Sequence, residues 1–197
     1  MKNPLSFIAA AFFAIAFPIE AHESMECKER SNPQKKAICF KQHFDIYKNN
    51  KEFIKSTREE LRVGDENYMK KRFYEAYRAY DLSNMFLPSP YAFLRGSEAV
   101  FIDYATASHF EDDAKKIPTT CMPTADFVDF TDHTLFNYKV GVELAKIHHY
   151  GPSVTPAYLA DSEKRISCLE GMATQYRNEK TGCVDVGKLQ ACMGVKK

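Results

Sequence analysis

Residues 124–149 read TADFVDFTDHTLFNYKVGVELAKIHH. Phe127, Phe130, Tyr138, Val142 and Ala145 fall on one side of a helix, where residues three and four apart are neighbours. Cys121-Met122-Pro123 stands before this run. Gly151-Pro152 follows it, a helix stop with Gly just past the end and Pro beyond. The stretch therefore predicts a long amphipathic helix, and the chain on either side repeats the pattern. Residues 91–109 (YAFLRGSEAVFIDYATASH) read as a more apolar helix carrying Ala92, Phe93, Ala99, Val100, Phe101 and Tyr104. Pro88-Ser89-Pro90 before it marks the best internal boundary. Thr155-Pro156 supplies an N-cap and a first-position proline for a helix running to about Tyr176, with Leu159, Ile166, Leu169 and Ala173 inward.

Nearer the N-terminus, residues 34–58 begin a helix behind Asn32-Pro33, with Asn49-Asn50 as a point of interruption. Residues 66–82 place Met69, Phe73, Ala76, Tyr77 and Tyr80 on one face of another. A short C-terminal helix capped by Asp185 carries Cys192. Alternating Val, Ile and Thr runs are essentially absent, so strands are not expected. These readings add up to an all-α fold: five or six helices in one compact disulfide-stapled bundle.

Residues 1–21 (MKNPLSFIAAAFFAIAFPIEA) have the form of a secretory signal peptide: Lys2, then an apolar run from Leu5 to Ile19, then a small residue at Ala21. The run is shorter than the roughly 20 residues a membrane span needs. The expected organisation is a signal peptide over 1–21, an N-terminal helical extension over 22–90 and a disulfide-bonded helical core over 91–197. The mature chain is expected in the periplasm or outside the cell, with no transmembrane segment.

The chain has 197 residues, 27 Lys and Arg against 26 Asp and Glu, and a net charge of +1. That balance argues against a nucleic-acid partner, which calls for a basic excess. Six cysteines, Cys27, Cys39, Cys121, Cys168, Cys183 and Cys192, all follow the signal segment. In an oxidising compartment an even number reads as three disulfides, each contributing about 2–4 kcal/mol. Short loops favour Cys27–Cys39 and Cys183–Cys192, which leaves Cys121–Cys168. There is no CxxC and no finger-type Cys/His spacing, so no metal site is expected.

No HExxH, GxSxG, P-loop or GxGxxG occurs. Asp129 and His133 are spaced to share a helix face, and a solvated pair is the simpler reading of them. With no catalytic motif the chain reads as a non-enzyme without a cofactor. The most unusual stretch is 68–80, where Tyr68, Tyr74, Tyr77 and Tyr80 alternate with Lys70, Lys71, Arg72 and Arg78. Tyr and Arg are enriched at protein interfaces. Tyr74, Tyr77, Arg78 and Tyr80 are therefore the candidate partner-binding residues.

From about residue 93 to 170 the chain resembles the small periplasmic immunity proteins that neutralise type VI secretion amidase effectors. The residues that carry this are Phe93-Leu94-Arg95-Gly96 followed by Asp103, then Cys121-Met122-Pro123, then Pro156-Ala157 with Leu159 in a helix reaching Cys168. The resemblance covers under half of the mature chain, and Arg95 and Ser97 stand where that family usually has a Cys near the glycine. It implies a helical fold, a Cys121–Cys168 bridge and a role in inhibiting a cell-wall hydrolase. No inhibitory residue carries over. The functional expectation is an exported binding protein that sequesters or inhibits a protein partner. The alternatives are a periplasmic stress chaperone or assembly factor, or a small-ligand carrier.

Overall fold

A computed structural model of the chain describes residue 27 and residues 31–106, 121–148, 154–178 and 182–195, with the backbone alone at Cys121 and Met122. The predicted signal segment lies outside these residues. Among the described residues there are seven helices: α1 (Pro33–Tyr47), α2 (Lys51–Met69), α3 (Phe73–Phe86), α4 (Pro90–Thr106), α5 (Thr124–Ile147), α6 (Pro156–Asn178) and α7 (Val186–Met193). The all-α expectation holds.

Local chemistry sets most of the boundaries. Asn32 Oδ1 accepts the Lys35 amide at 3.0 Å, with Pro33 at the first position of α1. Asn50 caps α2 by accepting from Glu52 and Phe53, so the Asn49-Asn50 pair does end one helix and start the next. Thr155 Oγ1 caps α6 through the Tyr158 amide, and Asp185 caps α7 through the Gly187 amide. Gly194, with φ 68°, closes α7 in the left-handed conformation.

The predicted helix over 66–82 is corrected. It is two helices, broken at Lys70–Arg72, where Lys71 takes φ 59° and the chain reverses. Tyr68 and Phe73 meet edge to face at 5.3 Å across this turn. Apolar spacing continues through the break because both helices present it to the same core, so periodicity does not reveal the turn.

From α2 to α7 each helix packs on the next, with α4 at the centre and α1 laid back on α5. Leu94, Phe101 and Ile102 of α4 pack with Phe127, Leu135, Tyr138 and Val142 of α5 and with Ile166, Leu169 and Met172 of α6. Burying each such large apolar side chain contributes about 1.5–3 kcal/mol. Ala37 of α1 joins Phe93, Val140 and Leu144, while Ala76 and Tyr80 of α3 join Ala92 and Ala99 of α4. Thus α1 and α3 are packed directly on α5 and α4.

Two features were not expected. A three-residue antiparallel ladder pairs β1 (Cys121–Pro123) with β2 (Cys183–Asp185), with Met122 opposite Val184. The disulfide pattern also differs. Cys27–Cys39 forms as expected, but Cys168 is bonded to Cys192, with Cα atoms 5.7 Å apart. This overturns both Cys183–Cys192 and Cys121–Cys168. Cys183 sits on β2, and most of α7 separates it from Cys192. At about 1.5 Å per helical residue the two are held too far apart for a bridge, which needs Cα atoms within about 7 Å. Cys183 is disulfide-bonded elsewhere, and no free cysteine is found among the described residues. None of the described helices is long and apolar enough to cross a membrane.

Candidate functional site

Two polar constellations stand out, one internal and one on the surface. The internal one begins with Glu98 on α4, only 4% exposed. Its Oε1 accepts from Arg165 Nη1 at 2.5 Å. Its Oε2 accepts from Arg95 Nη1 at 3.0 Å and from the Tyr158 hydroxyl at 3.0 Å. The Arg95 guanidinium lies 4.4 Å over the Tyr68 ring and acts electrostatically on Tyr91. Tyr91 and Tyr80 both donate to Asp65 Oδ1, at 2.6 and 2.7 Å. Two clusters thus lie side by side: Glu98 ties α4 to α6, and Asp65 ties α2 to α3 and α4.

Burial, and then the neighbouring carboxylates, push the Tyr80 and Tyr158 hydroxyls well above their usual range and raise Tyr91 as well, so they stay protonated as donors. Both Glu98 oxygens are occupied. Ser162 is turned onto its own helix, bonding the Tyr158 carbonyl. The Tyr138 hydroxyl lies beside Ser162 and Arg165 without a hydrogen bond of good geometry. These bonds fix helix positions. Removing one member of such a buried group costs about 3–5 kcal/mol, because the remaining charge is left uncompensated.

The surface constellation spans α3, α4 and α5. On α3, Tyr74, Arg78, Asp81 and Met85 follow one another at helical spacing on the exposed side. Tyr74 is 43% exposed, and its ring lies 6.5 Å from that of half-buried Tyr77. On α4, Tyr104 stacks on Phe130 of α5 with ring centres 3.7 Å apart, and Phe130 meets core Phe101 edge on at 5.4 Å. Burial raises the pKa of Tyr104, and Asp103, Asp126 and Tyr74 add to the rise. The Tyr77 hydroxyl is raised in the same way by burial, Asp81 and Tyr74. Tyr74 thus neighbours Tyr77 and acts electrostatically on Tyr104, while Asp81 acts on Tyr77 and Asp126 on Tyr104. The arrangement is a partly exposed aromatic face, anchored in the core through Phe130.

The four sequence candidates divide. Tyr74, Tyr77 and Arg78 lie on this face or its rim. Tyr80 does not: it is 0% exposed, packed against Gly64 and bonded to Asp65, so it cannot touch a partner in the folded protein. Six residues along a helix from Tyr74 is about 240° of rotation, which turns Tyr80 to the side that Phe73 and Ala76 bury. Asp129 and His133 are exposed on α5, next to the face, and His133 Nε2 approaches Asn137 Nδ2 at 3.4 Å. Burial raises the pKa of Asp81 on α3, and His133 on α5 opposes the rise. Sequence reasoning missed Tyr104 and Phe130 as site residues. Both sat in predicted helices, and only tertiary packing stacks one on the other. Among the described residues no group of three or more His, Cys, Asp or Glu is arranged to hold a metal.

A groove of about 500 Å³ runs between α5 and α6 beside Pro33, with Leu135 and Phe136 in its wall. It is spanned by the ion pairs Lys139–Glu170, at 2.5 Å, and Asp132–Arg177. Such charged walls suit a small apolar ligand poorly.

Fold and site together define an all-α, disulfide-bonded domain with an aromatic surface face. No family model matches the chain, and no curated protein or solved structure matches it either.

Proposed function

We propose that the chain is an exported binding protein that sequesters or inhibits a protein partner, with a cell-wall hydrolase as the partner class that the resemblance to periplasmic immunity proteins implies. The observation that carries this reading is the face of Tyr74, Tyr77, Tyr104 and Phe130 on a scaffold held rigid by disulfides and by the Glu98 network. Rigid aromatic side chains supply contact area at low entropy cost, and such residues dominate interface energetics. Disulfides fit an oxidising compartment, in keeping with export.

The test is a pull-down with the exported, oxidised chain, followed by titration calorimetry on the partner recovered and by a cell-wall hydrolysis assay. A stoichiometric complex that Tyr74→Ala weakens at least tenfold supports the proposal. No complex at micromolar concentration, or one indifferent to Tyr74, Tyr77 and Arg78, overturns it.

A periplasmic stress chaperone is the second reading, and a different observation favours it. His43 and His148 are both buried where α1 packs on the bundle, and burial holds both below their ordinary pKa. Acid would therefore loosen that contact and expose apolar surface.

A further inference from the structure

We infer that the turn between α2 and α3 is a docking tip for an anionic phospholipid bilayer, with Met69 entering the interface and Lys70, Lys71 and Arg72 meeting the headgroup phosphates. This goes beyond the binding-protein reading, and its test avoids the residues of that reading. The four residues are consecutive and exposed, and Met69, at 85%, is the most exposed large apolar side chain among the described residues. The turn is closed from within. The Lys71 amide donates to the Tyr68 carbonyl at 3.0 Å and the Arg72 amide to the Asn67 carbonyl at 2.9 Å, the paired closure that ordinarily puts glycine where Lys71 stands. Tyr68 and Phe73, on either side of the turn, meet edge to face at 5.3 Å and pack on the core, so the apex is held rigid with its cations outward.

Local chemistry alone would choose other residues here. Lys71 takes φ 59°, a left-handed conformation that is unfavourable for any residue with a Cβ. Arg72 stands at the N-cap of α3, where Asn, Asp, Ser or Thr would satisfy a backbone amide, and its side chain makes no capping bond. Folding thus favours glycine and a capping residue at two positions that this chain fills with cations, and a departure of this kind points to function. The charge around the apex keeps its sign. Glu75 is the carboxylate in the first turn of α3, Glu66 is held by Arg62 on α2, and Asp65 accepts from Tyr80 and Tyr91. Arg78 adds a fourth cation one turn beyond Tyr74. Tyr74, 43% exposed, supplies at the same end an aromatic ring of the kind that settles at membrane interfaces. A hydrophilic polyanion makes no use of so exposed a methionine. The apex of a helical hairpin is convex and offers a protein partner little area to bury. A bilayer surface receives apolar, aromatic and cationic side chains at successive depths.

The chain contains no tryptophan, so Met69→Trp provides a single fluorescent reporter at the apex. The exported, oxidised protein is mixed with vesicles of phosphatidylglycerol and phosphatidylcholine in equal parts, with pure phosphatidylcholine as the control. On the anionic vesicles alone the reporter should shift to the blue and be quenched by brominated lipid, and co-sedimentation should weaken as salt rises. Lys70→Gln with Arg72→Gln should weaken binding at least tenfold, at about fivefold per cation, and Met69→Ser about threefold or more. Lys71→Gly should raise Tm by about 2–4 °C and yet weaken binding about fivefold, which separates docking from folding. Lys164→Gln with Lys188→Gln, exposed on α6 and α7, should leave binding unchanged. Equal binding to both vesicles, binding without a blue shift, or indifference to the apex variants overturns the inference. So does soluble polyphosphate that binds as tightly as the vesicles and is indifferent to Met69→Ser, since that leaves charge alone. If vesicles are not bound while Lys70→Gln with Arg72→Gln weakens the complex with a captured protein, the apex belongs to that partner and the lipid inference fails. If vesicles are bound and that complex is indifferent to Tyr74, Tyr77 and Arg78, the lipid inference stands and the binding-protein reading fails.

Discussion

At the scale of single residues, two glycines in helices have opposite roles. Gly64 on α2 faces the Tyr80 ring so closely that a Cβ there would come within 2.6 Å of it. The ring cannot yield, because its hydroxyl is tied to Asp65 and its edge meets Tyr91 at 6.0 Å between centres. Gly171 on α6 has nothing within 4 Å of its would-be Cβ. Gly64→Ala is expected to destabilise the protein by about 1–3 kcal/mol through overpacking, outweighing its gain in helix propensity. Gly171→Ala is expected to stabilise by about 0.5–1 kcal/mol, since only the propensity term operates. Urea unfolding midpoints of the two variants measure this directly. Equal shifts in one direction would show that the α2–α3 contact is looser than described. In the sequence the two glycines are indistinguishable, for each is an isolated Gly in a helical pattern.

At the scale of elements, the seating of α1 is the part most sensitive to acid. His148, 7% exposed at the end of α5, meets Phe44 of α1 edge to face at 5.4 Å. Lys41, Asp45 and Lys48, all on the α1 side, are the charges acting on it. Burial above all, reinforced by Lys41, lowers its pKa from 6.5 to about 4. His43 donates from Nε2 to the Phe86 carbonyl at 3.2 Å and is likewise held low, mainly by burial. For a histidine with a depressed folded pKa the unfolded chain binds the proton more tightly. The stabilisation is therefore complete above about pH 6.5, falls as pH drops from there towards 4, and does not fall further below it. The shift at His148 corresponds to at most about 3 kcal/mol. Denaturant midpoints between pH 7.5 and pH 4 should fall steeply in the native protein and less so in His148→Gln. Identical profiles would remove His148 as the source. Dye binding that rises over the same interval would favour the chaperone reading.

At the scale of the whole molecule, Cys168–Cys192 holds α7 against α6, while the β1–β2 ladder holds the start of α7 against the start of α5. Gln190 of α7 adds a hydrogen bond to the Ala105 carbonyl at the end of α4, at 2.9 Å. The C-terminal helix is thus fastened at three points to three different helices. Replacing Cys168 and Cys192 together with Ser is expected to cost about 3 kcal/mol, by releasing a loop with a sequence separation of 24. Thermal unfolding and hydrogen exchange of α7 report it. Protection of Leu189 and Met193 unchanged from the native protein would show that packing alone retains α7.

The all-α class, most helix boundaries and Cys27–Cys39 were legible from the sequence, because caps, prolines and short loops act within a few residues of one another. Asn50, Thr155 and Asp185 needed nothing distant to do their work. The break at Lys71, the partner of Cys168, the burial of Tyr80 and the stacking of Tyr104 on Phe130 belong to the tertiary structure. Each depends on which helix lies against which. Helical period orders side chains around one axis and carries no information about the neighbour that axis will meet, so which tyrosines stay at the surface was decided only when α3, α4 and α5 packed together.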